Sequence, residues 1–195
     1  DGETISYSIT AGNGDGIFGI NSSTGAITVV NNSKLDYETT TSYSLTVEAT
    51  DGTNTDNAIV SISVTNVNDN SPSISNASAT IAENASNNSA VVNIDDDNTS
   101  SDLDADGETI SYSITAGNGD SIFGINSSTG AITVVNNSKL DYETTTSYSL
   151  TVQATDGTNT DNATVSITVT NVNDNSPVIS NASATIAENA SNNSA

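Results

Sequence analysis

The seven residues NVNDNSP stand at 66–72 and again, unchanged, at 171–177. They crowd carboxylate, amide and carbonyl oxygens into a short stretch that offers no nitrogen base. Other acidic residues gather nearby in the sequence: LDYE at 35–38 and 140–143, ATDG at 49–52 and 154–157, AEN at 82–84 and 187–189, and IDDD with SDLDADG across 94–107. Like charges at contact distance repel, and the chain has only 2 Lys+Arg to offset 24 Asp+Glu. A hard cation resolves the conflict, because calcium takes six to eight oxygens from carboxylates, Asn side chains and backbone carbonyls. With no His and no Cys, imidazole-based triads, the common zinc sites and disulfides are excluded. Paired carboxylates can also serve acid–base catalysis, but their recurrence beside Asn-rich linkers fits metal clusters better, and the sequence is read as that of a non-enzyme. Asp102-x-Asp104-x-Asp106-Gly107 matches the opening of an EF-hand loop. Its twelfth position is Ser113 instead of Glu, however, and the exit TISYSI alternates as a strand does, so the spacing points to an Asp loop between strands.

Charge narrows the partners further. A net charge of −22 excludes electrostatic binding to nucleic acid or an anionic membrane, both of which need a cationic surface. No apolar run approaches the roughly 20 residues of a membrane helix, no signal peptide is visible, and the sequence reads as an excerpt of a longer chain. Such self-repulsion also opposes a compact state unless cations neutralise it.

The elements that must hold these clusters are strands. Ile5, Tyr7 and Ile9 alternate with Thr and Ser; so do Tyr43, Leu45, Val47 and Ala49, and Ala58, Val60, Ile62 and Val64, with shorter runs at Phe18/Ile20 and Ile27/Val29. A period of two rich in β-branched residues means strands with one buried face. Asn13-Gly14, Ser23-Thr24-Gly25 and Asp51-Gly52-Thr53-Asn54 mark the turns between them. Residues 1–90 and 106–195 align without a gap, differing only at Gly16/Ser121, Glu48/Gln153, Ile59/Thr164, Ser63/Thr168 and Ser73/Val178. A 105-residue period is one domain per repeat, and about seven strands in that span describe an all-β, Greek-key, immunoglobulin-like sandwich. If NVNDNSP closes a domain, 1–72 is a repeat lacking its first strand, 73–177 a complete repeat, and 178–195 the first strand of a following one. Such ends fit an excised window; they also fit a filament in which 178–195 of one chain completes 1–72 of the next.

LDYE, ATD, NVNDNSP, AEN and DAD, in this order along the chain, resemble the calcium motifs of cadherin repeats, of the kind found in large bacterial surface or secreted adhesins; the order is the family's and the match covers the whole chain. The resemblance implies cadherin-type sandwiches with calcium bound at the junctions between domains. It implies that Asp36, Glu38, Asn66, Val67 (by its carbonyl), Asn68, Asp69 and Asn70 meet Asp104, Asp106 and Asp156 at the first junction. At the second it implies Glu83, Asp141, Glu143, Asn171, Asn173, Asp174 and Asn175, while Asp1 and Asp51 would serve a junction upstream and Glu188 one downstream. Asn66 and Asn171 stand where the family usually has Asp, which removes one carboxylate from each linker. Tyr37 and Tyr142 replace an arginine that takes no part in ligation. Asp95, Asp96, Asp97 and Asp102 are additional candidates, and the sequons at Asn76, Asn84 and Asn162 are read as incidental in so Asn-, Ser- and Thr-rich a chain.

The function expected is a calcium-rigidified extender or adhesion module, extracellular or at the cell surface, whose partners are neighbouring repeats of its own chain. Two other readings stand beside it: a head-to-tail filament of like chains, and a module whose outward Thr, Ser and Asn faces bind glycans or a like domain.

Overall fold

The alternating runs form the strands they predict. The computed structural model describes residues 2–95 and 104–192; Asp1, Asp96, Asp97 and Asp102 lie outside them. The strands in chain order are β1 (Ser6–Ala11), β2 (Phe18–Ile20), β3 (Ile27–Val29), β4 (Ser42–Thr50), β5 (Thr55–Ser63), β6 (Ala77–Ala82), β7 (Ala90–Asn93), β8 (Ser111–Ala116), β9 (Phe123–Ile125), β10 (Ala131–Val134), β11 (Ser147–Thr155) and β12 (Thr160–Thr170). Two single turns of 3-10 helix, Asn32–Lys34 and Asn137–Lys139, are the helical elements among the described residues.

The second unit shows how the pattern becomes a sandwich. On β12, Ala163, Val165, Ile167 and Val169 are buried while Thr164, Ser166 and Thr168 between them are exposed, as the pleat requires. On β11 Leu150, Val152 and Ala154 are buried, and Thr151 and Gln153 between them are half-buried. One sheet runs β6-β12-β11-β8 and the other β7-β10-β9, and their inner faces share one core that includes Ile74, Ile81, Ile94, Phe123 and Ile132. Phe123 meets the Tyr148 ring edge-on at 5.2 Å. The edge strand β6 pairs in parallel with β12, from Ala77 opposite Val165 to Ala82 opposite Thr170, and the chain then crosses to the other sheet as β7. This is the seven-strand Greek-key sandwich expected for the fold class.

The first unit carries five strands, in sheets β1-β4-β5 and β2-β3, the counterparts of β8-β11-β12 and β9-β10. The sequence reading has it lacking one strand; neither β6 nor β7 has a counterpart among the described residues. The 105-residue period accounts for this, since Asp1 aligns with Asp106 and both strands precede Asp106. Identical residues are therefore less covered here: Val134 is fully buried, whereas its counterpart Val29 is 51% exposed. What remains of the core centres on Ile17, Phe18 and Leu45. Gly12 and Gly117 mark one feature common to both units. Each has φ above +80°, and a Cβ there would collide with the carbonyl oxygen of Ser44 or Ser149, which ties the end of the strand to its neighbour.

Candidate metal centre

The linker 66–70 leaves β5 as irregular chain, so its backbone amides are free to serve something other than a sheet. They serve Asp106. Its Oδ2 accepts from the amides of Asp69 (3.0 Å) and Asn70 (2.7 Å), its Oδ1 from Asn70 Nδ2 (3.1 Å), and its carbonyl from Asn66 Nδ2 (2.8 Å). Asp106 owes its position to a tight turn: Gly107 N donates to Asp104 O at 3.1 Å, Gly107 has φ +86°, and Asp106 N donates to Asp104 Oδ1 at 3.0 Å. A left-handed residue at that point is what glycine supplies at no steric cost.

Three segments converge on this turn. Carboxylate oxygens of Glu38, Asp69 and Asp106 lie within 4.8 Å of one another, as do those of Asp104, Asp106 and Glu108. The loop after β11 adds Asp156, whose Oδ1 accepts from the amides of Thr158 and Asn159, each at 2.6 Å. Asn159 Nδ2 in turn faces three oxygens, Asn70 O at 2.6 Å, Asn68 Oδ1 at 2.9 Å and Asp156 Oδ2 at 3.4 Å. Asp36 turns inward on its own loop, accepting from the amides of Glu38 and Thr39 and from the Thr39 hydroxyl. Val67 is exposed.

The electrostatics record the crowding. Desolvation, then the charges of Asp106 and Asp36, raise the Glu38 carboxyl above its ordinary value. Burial, followed by Asp156 and Asp106, raises Asp104. For Asp156 desolvation opposes the charge, but the amides of Asn159 and Thr158 and the Asp104 and Asn159 side chains outweigh it and hold the carboxyl at about 2. Asp106 is lowered in the same way, desolvation being outweighed by Asn70, Glu38 and Asp69.

The second cluster forms where 171–175 leaves β12. Glu83, only 6% exposed, accepts from Tyr142 N at 2.7 Å and Val172 N at 2.6 Å. Glu143 and Asp174 carboxylate oxygens approach it within 4.8 Å. Asn171 Nδ2 donates to Glu143 Oε1 at 3.1 Å and Asn175 Nδ2 to Asp174 Oδ1 at 3.0 Å. Glu143 is raised by desolvation first, then by Glu83 and Asp174. Asp141 is held low by the Thr144 hydroxyl, against desolvation. Asn173 and Glu188 are exposed. Asp51 caps its own loop through the amides of Thr53 and Asn54, and Asp1 lies outside the described residues.

The motif residues of the first junction thus come together, while Asp36, Asp51 and Asp141 spend their oxygens on local turns. Two residues of the centre escape a sequence reading. Asn159 is visible there only as the end of a DGTN turn, and Glu108 only as the residue after a DADG loop.

The donor set is entirely oxygen, and Asp104 Oδ2 is buried without a hydrogen-bond partner among the described residues. An unpaired buried carboxylate is costly, and this chemistry fits a hard divalent cation such as calcium far better than zinc.

Comparison with known proteins places the chain. A Cadherin domain family model matches residues 1–65 and 77–170. Human protocadherin Fat 1 is 43% identical over 198 residues, which cover 95% of this chain and 4% of that protein. The protocadherin-like wing polarity protein stan of Drosophila melanogaster is 39% identical over 187 residues, 89% of this chain and 5% of that one. The chain therefore spans a small part of these relatives' length. Among solved structures, the protocadherin gammaB7 EC3-6 cis-dimer has a TM-score of 0.71 at 26% identity, covering 89% of this chain and 43% of its own. Human protocadherin-24 EC1-2 has the same fold, with a TM-score of 0.69 at 24% identity over 88% and 84% of the two chains. Cadherin domains are calcium-binding modules of cell adhesion, and with matches over most of its length this chain belongs to the cadherin family.

Proposed function

We propose that the chain is a calcium-stiffened extender of a long cell-surface or secreted adhesin, with cations held where one sandwich meets the next. The observation that carries this reading is the convergence on Asp106: a carboxylate of the second unit is gripped by linker amides while lying within 4.8 Å of Glu38 in the first. Glu38, Asn68, Asp69, Asn70, Asp104, Asp106 and Asp156 would hold the ion at this junction, and Glu83, Glu143 and Asp174 its successor at the next. The ion supplies charge neutralisation. Without it the carboxylates repel and the linker acts as a hinge; with it, groups from both units share one partner. Binding at a hundredfold excess over Kd stabilises by about 2.7 kcal/mol. Calcium is abundant outside cells and scarce within them, so export would convert a hinge into a rod. The scarcity of basic residues, the absence of Cys and the near-identity of the repeats support a large bacterial-type adhesin. Isothermal calcium titration tests the reading. Tight uptake that Asp106→Asn weakens at one class of sites supports it, and a chain that takes up no calcium contradicts it.

One observation favours a second reading, strand complementation between like chains. Residues 180–192 repeat 75–87 residue for residue. The earlier copy contains β6, seated beside β12 with Ile81 buried, whereas in the later copy Ile186 is 71% exposed. Among the described residues β5, the counterpart of β12, pairs with β4 alone. The segment 178–192 of one copy therefore fits the open edge of β5 in another. A mass that rises with concentration in light scattering, and returns to monomer in Ile186→Asp, supports this reading; a monomer at every concentration contradicts it.

A further inference from the structure

The turn that carries Asp104 and Asp106 carries a third carboxylate that none of the calcium motifs includes. Glu108 follows Gly107, whose positive φ reverses the chain so that the side chains at 104, 106 and 108 face one another. Their carboxylate oxygens lie within 4.8 Å of each other. Two of these oxygens, Asp104 Oδ2 and Glu108 Oε2, are buried and have no hydrogen-bond partner among the described residues. Asp104 itself is only 4% exposed. Asp106 is different: linker amides satisfy both of its oxygens. A solvated acidic loop would turn its spare lone pairs to water. Here the two unsatisfied oxygens are turned inward beside a third acid, which is costly unless a positive charge sits among them.

We infer that Glu108 is a ligand of the first junction's cation, so that a single turn supplies three carboxylates, Asp104, Asp106 and Glu108, to one hard divalent ion. The inference rests on the calcium reading above. It assigns the second unit a denser share of the negative charge than the motifs alone provide. An extra carboxylate compensates for Asn66, the amide at the head of the linker, whose Nδ2 is committed to the Asp106 carbonyl.

Calcium titration calorimetry of the whole chain tests the assignment, with Glu108→Gln against Glu48→Gln as control. Glu48 is on the solvent-facing phase of β4 and its counterpart at 153 is already Gln. Glu108→Gln is expected to weaken one class of calcium sites at least about tenfold and to leave the others alone, while Glu48→Gln titrates as the parent does. Thermal melts separate ligation from a structural role. In EGTA, Glu108→Gln melts at or above the parent, because it removes an unpaired buried charge; in saturating calcium it melts below. Glu108→Gln titrating like the parent overturns the inference and leaves the calcium reading intact, as does a melting point lowered equally in EGTA and in calcium. A parent chain that binds no calcium overturns both.

Discussion

The two units carry nearly the same strands, yet Val134 is sealed and Val29 half exposed. The difference traces to one segment, 73–95, which gives the second unit β6, β7 and the core residues Ile74, Ile81 and Ile94. The same segment gives Glu83, the buried centre of the second cluster. Core closure and ligand supply are thus the work of one stretch of chain. The first unit lacks both contributions, and its junction draws instead on the turn of the unit that follows. The two NVNDN linkers share the upstream pair Glu38/Glu143 and otherwise show complementary parts of one design. At 66–70 the downstream carboxylates Asp104, Asp106 and Asp156 are in place; at 171–175 the upstream Glu83 is.

The largest effect expected from this contrast is in the core. Ile132→Ala should cost about 2–5 kcal/mol, as for other fully buried aliphatic truncations, while Ile27→Ala, its half-covered counterpart, should cost less than about half as much. Urea unfolding with the two units resolved as separate transitions measures both, and equal costs would break the contrast. Next comes Glu83→Gln. Two backbone amides donate to this carboxylate, and loss of charge-assisted bonds there should cost about 1.5–3 kcal/mol. The same change at Glu188, exposed in the tail, should stay within about 0.5 kcal/mol.

Acid titration in EGTA sharpens the comparison by sign. Asp156 is held at about 2 against an ordinary 3.8, and Asp36, Asp51, Asp106 and Asp141 are lowered too. Lowered carboxyls contribute stability that is present above 3.8 and lost as pH falls toward 2. Glu38, Asp104 and Glu143 are raised, so the folded chain binds their protons more tightly and stability is gained as pH falls toward the ordinary carboxyl range. A melting point in EGTA that first climbs and then collapses on acidification is expected, and calcium should abolish the climb. A monotonic fall in EGTA would show that these carboxylates do not repel. The smallest effect is expected at Ile59, 65% exposed and Thr in the other repeat: Ile59→Thr should change stability by no more than about 0.5 kcal/mol.

Much of this was legible in the residues. The alternation around Tyr43–Ala49 and Ala58–Val64 marked β4 and β5 because a half-buried strand needs that period. The repeat also separated inward from outward positions, since Ile59/Thr164 and Ser63/Thr168 fall on the solvent phase. The parallel pairing of β6 with β12 was not legible. The sequence ATIAENASN at 79–87 is identical at 184–192, yet only the first copy includes a strand, so partnering and not local propensity decides. The site divides similarly. Acid clusters without counter-charge announce a cation, but that Asp36 caps its own loop while Glu108 turns inward depends on backbone geometry around single residues such as Gly107.

The central claim, that calcium locks one unit to the next, is tested most directly by small-angle X-ray scattering of the chain in calcium and in EGTA, with Asp106→Asn alongside. The account predicts one sharply defined maximum dimension in calcium, a broader distribution in EGTA, and an Asp106→Asn variant that stays broad in both. The same distribution with and without calcium would contradict it.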